Sequence, residues 1–238
     1  MLVKFNNSFV SMKLIGLLGG TSWPSTMLYY EKLNSLVNKQ LGGFNSARIL
    51  LYSINYNEIK SSYATDWQNV EILLEQEIQF FLQKKPDCLV ICNNTLHKAF
   101  DAVQHKLELQ IPVFHAGRLS AQSAVTNGYK SVLLLGTKLT MEDGFFAKYF
   151  KDKNVDVVIP TLEDRLKIQN LQTQISSGVK NDGFYNDFSD IISKYKNVNA
   201  VCLACTELPL YVNQKNCSLP IINPIDLQCM EACKLLLQ

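Results

Sequence analysis

The chain has 238 residues, of which 47% are hydrophobic and 18% charged, and its formal net charge is +2. This composition is ordinary for a globular protein, and the length allows one large core or two smaller ones. The weak net charge, the short basic runs and the lack of an apolar run near the roughly 18 residues of a membrane span argue against nucleic-acid and membrane partners.

The first residues and the cysteines bear on where the protein works. Residues 1–11 are polar and rich in Asn, which predicts a loosely ordered extension rather than a secretory signal. Cys202 and Cys205 form a C-x-x-C pair, but no second pair follows at zinc-site spacing, and the three histidines form no metal-ligand pattern. We therefore expect free thiols in a reducing cytoplasm and no bound metal.

Apolar runs alternate along the chain with helical patterns, which is typical of an α/β fold with parallel sheets and crossover helices. The predicted strands are 13–18, 47–53, 88–92, 113–115, 131–135, 156–159, 200–204 and 221–222. The predicted helices are 25–40, 67–84, 95–103, 119–126, 141–149, 165–176, 184–194 and 226–237.

Two pairs of segments indicate that this pattern occurs twice. KLIGLLGGTS at 13–22 resembles KSVLLLGTKLT at 130–140, and PDCLVICNNTLH at 86–97 resembles VNAVCLACTELP at 198–209. We therefore predict two pseudo-symmetric domains, each a parallel sheet flanked by helices. The expected bounds of the first domain, the second domain and a C-terminal segment that returns to the first are 1–115, 116–215 and 216–238.

Polar clusters follow four of the predicted strands. These clusters are 19–22, 92–95, 136–140 and 205–207. Ligands of open α/β sheets bind beyond the carboxyl ends of the strands, so two domains that face each other bring all four clusters to one cleft, the expected binding site. The cluster at 19–22 lacks both a G-x-G-x-x-G and a Walker pattern, so no nucleotide cofactor is expected.

Cys205 stands at one of these strand ends, directly before Thr-Glu, rather than within an apolar run. A thiolate can remove the α-proton of an amino acid and a thiol can return one, and a helix N-terminus lowers the pKa of a nearby thiol. Together with the side chains of Asn94, Thr95 and Thr206, the backbone N–H groups there are expected to hold an α-carboxylate.

Five segments carry a resemblance to a known family. They are GLLGGTSWPST at 16–26, ICNNTLHK at 91–98, LLGTKLTM at 134–141, EDRLKI at 163–168 and ACTEL at 204–208. In order and spacing they resemble the aspartate/glutamate racemases, from about residue 13 to the C-terminus. The resemblance implies a homodimer and racemisation without pyridoxal phosphate, by two bases in a cleft between pseudo-symmetric domains.

The resemblance also implies roles for single residues. Cys205 matches the catalytic thiol of the second domain, Thr206 matches a carboxylate ligand, and Glu207 matches the polar group that supports it. In the first domain, Asn94 and Thr95 match the pair that binds the substrate.

The chain departs from the family pattern at the base position of the first domain. Most members have Cys there and some have Thr, whereas this chain has Asn93. A neutral amide cannot take a proton from carbon at any useful pH. The adjacent Cys92 is a substitute base only if a bulge re-aims it, because a one-residue step along a strand turns the side chain to the opposite face.

Further residues are predicted to bind the substrate. Thr21, Ser22 and Thr137 carry hydroxyls at the strand-end clusters, and Lys167 in EDRLKI matches a basic residue that recognises the substrate side chain in the family. A Lys167 pair with a distal carboxylate favours aspartate or glutamate as substrate. His97 follows its cluster on a predicted helix and is expected to be a structural residue.

Several functions remain open from the sequence. One is a racemase, slow or one-sided if water or a neighbouring group completes the second proton transfer. Another is a related isomerase that acts on an unsaturated dicarboxylate. The third is a pocket protein that binds a small carboxylic acid without catalysis.

Overall fold

The computed structural model describes residues 12–237, so the extension predicted at 1–11 lies outside the described residues. Within that range seven strands, all paired in parallel, form two sheets. The strands are β1 (Ile15–Gly19), β2 (Ile49–Ser53), β3 (Cys88–Ile91), β4 (Ser131–Gly136), β5 (Asp156–Val158), β6 (Ala200–Ala204) and β7 (Ile221–Ile222).

The two sheets repeat one topology. The first has the order β2-β1-β3 and the second β5-β4-β6-β7. In each, the first strand in sequence is central and lies between the second and the third. The register agrees, because Ile15 pairs with Cys88 just as Val132 pairs with Ala200. The predicted α/β fold with two equivalent parallel sheets is thereby confirmed.

The strand predicted at 113–115 is wrong. Only an isolated parallel bridge joins Leu89 to Val113 there, beside β3. Pairing stops because His115 already caps the following helix, where its Nδ1 accepts the backbone N–H of Arg118 at 3.3 Å. The bridge occupies the place beside β3 that β7 occupies beside β6.

Helices cover both sheets. They are α1 (Trp23–Leu41), α2 (Tyr56–Lys60), α3 (Trp67–Leu82), α4 (Leu96–Val103), α5 (Ala116–Thr126), α6 (Lys138–Glu142), α7 (Phe145–Lys151), α8 (Leu162–Ser176), α9 (Gly183–Ser193) and α10 (Pro224–Leu236). The single helix predicted at 141–149 is wrong, because Gly144 with a φ of 89° separates α6 from α7. Within the described range no helix has the length and apolar character needed to cross a bilayer.

The helix α2 has no counterpart among the predicted elements. It has five residues, too few to show a helical repeat of apolar positions in the sequence.

The central strands lie in two-sided cores. β1, β3 and β6 are buried along their whole length, as expected of parallel strands covered on both faces. One face of the first sheet packs against α3 and α4, and the other packs against α1 and α10. The last helix of the chain therefore lies on the first sheet, where the Tyr29 hydroxyl donates to Oε1 of Gln228 at 2.7 Å.

A polar cluster joins α4 to the second half of the chain. The Asp101 carboxylate accepts hydrogen bonds from Arg118 and from the hydroxyl of Tyr149 on α7. Burial works to raise the pKa of Asp101, but hydrogen bonds with His115 and Tyr149 and the nearby positive charge lower it to about 2. Because α4 begins at the end of β3, this cluster fixes that strand end relative to α5 and α7.

Candidate active site

A cavity of about 790 Å³ lies where the carboxyl ends of the two sheets meet. Residues that follow β1, β3, β4 and β6 all line it, so the predicted meeting of four strand-end clusters is confirmed. The strand-end lining is 20–23, 93–95, 137–139 and 204–207. Further lining comes from α2 and the turn after it, from α6 and from α8.

Cys205 follows β6 directly and is only 4% exposed. Its thiol donates to Oε2 of Glu207 at 2.8 Å, and the Thr206 hydroxyl donates to the same oxygen at 3.3 Å. Burial first, and then the hydrogen-bonded carboxylate of Glu207, raise the pKa of the Cys205 thiol well above its usual value. The thiol is therefore protonated before a ligand arrives, and an ammonium group placed beside it lowers the pKa again.

Asn93 occupies the position in the first half that Cys205 occupies in the second. Cys88 and Ala200 are equivalent by register, and Asn93 and Cys205 each lie five residues further along the chain. Both side chains line the cavity. The two strand ends thus present an amide and a thiol to the same space.

The Asn93 amide has two structural contacts. Its Oδ1 accepts the backbone N–H of Leu96 at 2.9 Å, which satisfies a free donor in the first turn of α4. Its Nδ2 donates to the hydroxyl of Tyr56 at 3.5 Å. The backbone carbonyl of Asn93 accepts from Nδ1 of His97 at 2.8 Å, while Nε2 of this histidine accepts the N–H of Ala116 at 3.2 Å.

His97 is therefore a buried, neutral residue that holds the strand end in place. Burial, followed by the neighbouring His115, lowers its pKa well below the usual value. Both ring nitrogens are used in hydrogen bonds within the protein, and His97 does not line the cavity.

Cys92 lies on the other face of the sheet. It is fully buried in the hydrophobic cluster that contains Leu17, Tyr29 and Cys229, and it does not line the cavity. No bulge re-aims it, and burial, followed by the nearby Cys229, raises the pKa of its thiol well above the usual value. The thiol of Cys92 therefore faces the core rather than the cavity.

Asn94 and Thr95 line the cavity as predicted, and Asn94 is the more unusual of the two. Both Oδ1 and Nδ2 of Asn94 are buried without a hydrogen-bond partner among the described residues. The Thr95 hydroxyl lies 3.5 Å from that of Thr137 and 3.3 Å from that of Thr140. This hydroxyl cluster connects the β3 end to the β4 end.

Thr21 and Ser22 follow the turn after β1 and also line the cavity. The Thr21 hydroxyl donates to the Cys92 carbonyl at 3.0 Å, and the Ser22 hydroxyl accepts from Ser25 at 3.0 Å. Gly20 has a φ of 86°, and a Cβ there would lie 2.2 Å from the carbonyl oxygen of Ile54. Only glycine lets β1 turn this closely past β2.

Lys167 is not brought to the cavity. Its ammonium group pairs with Asp187 at 2.7 Å on the surface, and 45% of its side chain is exposed. Instead, Lys60 and Lys138 line the cavity, together with Tyr56 of α2 and residues of the turn after α2. The sequence carries no pattern that singles out α2, and Lys138 only has the weak signal of lying next to Thr137.

Fold and cavity define an α/β protein with a thiol-bearing cleft between two sheets of repeated topology. Residues 18–232 match the family model described as Asp/Glu/Hydantoin racemase. The chain therefore belongs to this racemase family, and the resemblance seen in the sequence motifs is confirmed.

Solved structures agree with this assignment. A Yersinia pestis protein described as a candidate Asp/Glu racemase is 31% identical, with a TM-score of 0.82 over 95% of this chain and 100% of that one. An aspartate racemase homologue from Pyrococcus horikoshii OT3 is 27% identical, with a TM-score of 0.81 over 95% of this chain and 100% of that one. The Picrophilus torridus aspartate racemase, at 21% identity and a TM-score of 0.78 over 93% of each chain, shows likeness of fold alone.

Proposed function

We propose that the protein racemises aspartate, glutamate or both, without pyridoxal phosphate or a metal, with Cys205 as the principal acid and base. The observation that carries the proposal is a cavity between two equivalent strand ends, one of which presents a buried thiol hydrogen-bonded to a carboxylate. Membership of the racemase family supports the reaction class.

Proton removal starts at Cys205. The α-ammonium group of a bound amino acid offsets the negative charge of Glu207, so the pKa of the thiol falls towards neutrality. The thiol releases its proton to solvent, and the resulting thiolate takes the α-proton. Glu207 orients the sulfur through its hydrogen bond to the thiol.

Asn94 supports binding of the substrate head group. A buried amide without partners costs about 1–3 kcal/mol, so a ligand that supplies those partners is stabilised. A substrate α-carboxylate accepts from Nδ2, and an ammonium group donates to Oδ1. These hydrogen bonds, with those from Thr95 and Thr206, strengthen as negative charge grows on the carboxylate after the proton leaves.

Two lysines support an acidic substrate. Lys60 and Lys138 line the cavity, and neither is in an ion pair with another residue of the described range. The Glu142 and Asp143 carboxylates in the same wall are each paired with a basic side chain that does not line the cavity. A distal carboxylate of the substrate therefore finds unpaired positive charge at this wall.

The substrate class is tested by charge removal. A charge-assisted hydrogen bond contributes about 1.5–3 kcal/mol, so Lys60→Met or Lys138→Met should raise KM for aspartate or glutamate by roughly tenfold to a hundredfold. Lys167→Met is the matched control and should leave KM unchanged. A rise in KM for the Lys167→Met control alone would show that Lys167, rather than Lys60 or Lys138, recognises the distal carboxylate.

We also infer the cellular setting, the domain bounds and the oligomeric state of the protein. All seven cysteines are free and buried, which supports a reducing, cytoplasmic setting. The repeated sheet topology supports domains at 1–115 and 116–215, and the packing of α10 supports a return of 216–238 to the first domain. A homodimer is inferred from the resemblance to the family.

The reaction is tested by incubating the protein with each enantiomer of aspartate and glutamate in heavy water. NMR follows loss of the α-proton, and optical rotation follows inversion. Exchange together with inversion supports racemisation, whereas exchange with retained configuration supports one-sided action at Cys205. Absence of exchange on all four substrates would overturn the enzymatic proposal.

Asn93 favours a second candidate, a pocket protein that binds a small carboxylic acid. The amide at the base position leaves the Asn94 site able to bind a ligand even where the second proton transfer is lacking. Calorimetric titration with aspartate, glutamate and simple dicarboxylates, in the absence of exchange, would identify this function. The same titration, with product analysis, would detect a dicarboxylate isomerase.

A further inference from the structure

We propose that Tyr56 is the proton donor on the face of the substrate opposite Cys205. This inference rests on the proposed racemase function and assigns the proton transfer that Asn93 cannot perform. The phenolic hydroxyl of Tyr56 takes the chemical role, and the Asn93 amide becomes a positioning residue for that hydroxyl.

The placement of the hydroxyl supports this role. Tyr56 is the first residue of α2 and lines the cavity. Its oxygen lies 3.5 Å from Nδ2 of Asn93, the residue that register makes equivalent to Cys205. The phenol is therefore a titratable group that lines the cavity and contacts the side chain at the position where a second base would stand.

The hydrogen bonds around the hydroxyl suit a proton donor. The Tyr56 hydroxyl donates to that of Tyr63 at 3.0 Å and accepts from the amide of Asn93. Burial raises the pKa of Tyr56 to about 12, against the lowering effect of these two hydrogen bonds. The phenol is thus protonated at neutral pH, and rotation about its C–O bond turns the proton from Tyr63 towards the substrate.

This arrangement also explains why an amide is useful beside the phenol. An amide N–H donates a hydrogen bond and cannot take a proton. Once Tyr56 has released its proton, the Asn93 N–H donates to the phenolate oxygen and stabilises the new negative charge. A thiol at residue 93 would compete for the same transfer.

The reaction of one enantiomer begins with its α-hydrogen facing Cys205. The Cα–H bond breaks, an S–H bond forms at Cys205, and the electron pair spreads from Cα into the carboxylate. The Tyr56 O–H bond then breaks and a new Cα–H bond forms on the opposite face, which leaves a phenolate. A proton then passes from the Cys205 thiol through solvent to the phenolate, which restores the thiolate and the phenol with which the transfer began.

The test compares exchange with inversion in Tyr56→Phe. The variant keeps the ring and loses only the hydroxyl, so Cys205 should still exchange the α-proton of the enantiomer that faces it, with retained configuration. Inversion should fall by about 10²-fold or more, and the other enantiomer should lose exchange as well. Tyr52→Phe, whose hydroxyl contacts Glu77 outside the cavity, is the control and should behave as wild type.

The Asn93→Cys variant provides a second, independent test of the role of Tyr56. A thiol at residue 93 replaces the phenol as donor, so Tyr56→Phe should affect inversion far less in the Asn93→Cys background than in wild type. The inference is overturned by normal inversion in Tyr56→Phe, by an equal loss of exchange and inversion, or by an equal effect of Tyr56→Phe in both backgrounds. Wild-type protein that exchanges no α-proton overturns the proposed function itself and this inference with it.

Discussion

The end of β3 and the end of β6 face the same cavity from equivalent positions but present different chemistry. At the β6 end, the thiol of Cys205 donates to the carboxylate of Glu207. At the β3 end, the side chain of Asn93 accepts the N–H of Leu96 in the first turn of α4 and donates to the hydroxyl of Tyr56. The comparison teaches that one backbone arrangement presents either a thiol or an amide to the cavity, depending on the side chain.

The surroundings of the two strand ends also differ, in the charge that they carry. Burial has the largest effect in raising the pKa of the Cys205 thiol, and the negative charge of Glu207 beside it raises the pKa further. The residue equivalent to Glu207 at the other end is Thr95, whose hydroxyl contacts Thr137 and Thr140. One end therefore carries charge, whereas the other carries neutral hydrogen-bonding groups.

The largest expected effect is the loss of α-proton exchange when the Cys205 thiol is removed, compared with removal of the Cys92 thiol at the end of β3. Cys205→Ala should lower α-proton exchange by about 10²–10⁴-fold, the usual contribution of an acid/base group. Cys92→Ala is the matched control, and it should lower the free energy of unfolding by about 1 kcal/mol with exchange near the wild-type rate. Equal loss of exchange in both variants would show that the strand faces are assigned incorrectly.

A gain of function tests the equivalence of the two ends. Asn93→Cys places a thiol opposite Cys205, so the racemisation rate should rise, by up to about 10²-fold. The variant loses the amide contact with the N–H of Leu96, which should cost about 1 kcal/mol of stability. Asn93→Ser also lacks the amide but adds no thiol, so a comparable rise in this variant would contradict the equivalence.

The pH dependence tests the charge difference between the ends. Because the raised pKa keeps the Cys205 thiol protonated, kcat/KM for exchange should increase with pH through the neutral range, as the thiolate fraction grows. Glu207→Gln removes the negative charge and should move this profile to lower pH. Glu142→Gln makes the same charge change in the cavity wall away from the thiol, and a similar shift in this variant would contradict the pairing.

The smallest effect concerns stability at the ends of the two central strands, where Gly20 and Thr137 are equivalent by register. Gly20→Ala should lower the free energy of unfolding by about 1–3 kcal/mol, because alanine is strained at a φ of 86° and its Cβ would meet the backbone of Ile54. Thr137→Ala should cost about 1 kcal/mol through loss of the α6 cap. Denaturant unfolding measures both, and equal losses would contradict the steric argument.

Much of the fold follows from local sequence patterns. Where the sequence-based prediction is wrong, the cause is also local. Buried parallel strands produce continuous apolar runs, so β1, β3, β4 and β6 are predicted within one or two residues. The strand expected at 113–115 shrinks to a bridge because a helix cap begins there, and the helix expected at 141–149 breaks at Gly144. Apolar content alone reveals neither the cap nor the positive φ.

For the candidate site, the strand-end residues were predictable and the residues from helices were not. Thr21, Asn93, Asn94 and Cys205 follow strands, and parallel topology brings all such ends to one edge. The motif around Lys167 predicted that this residue lies at the cavity. In the structure, α8 places Lys167 at the surface, in an ion pair with Asp187. Which helix side chains reach a cleft depends on helix position and rotation, and these are set by packing.

The sequence by itself determined the class of fold, its internal repeat, the racemase family and the unequal pair of Cys205 and Asn93. These features reside in the order and spacing of residues, which need no three-dimensional information. Only the tertiary structure decided that Tyr56, Lys60 and Lys138 share the cavity and that Cys92 does not. The physical reason is that contacts between distant segments arise from how sheets and helices pack, and packing is a property of the whole chain.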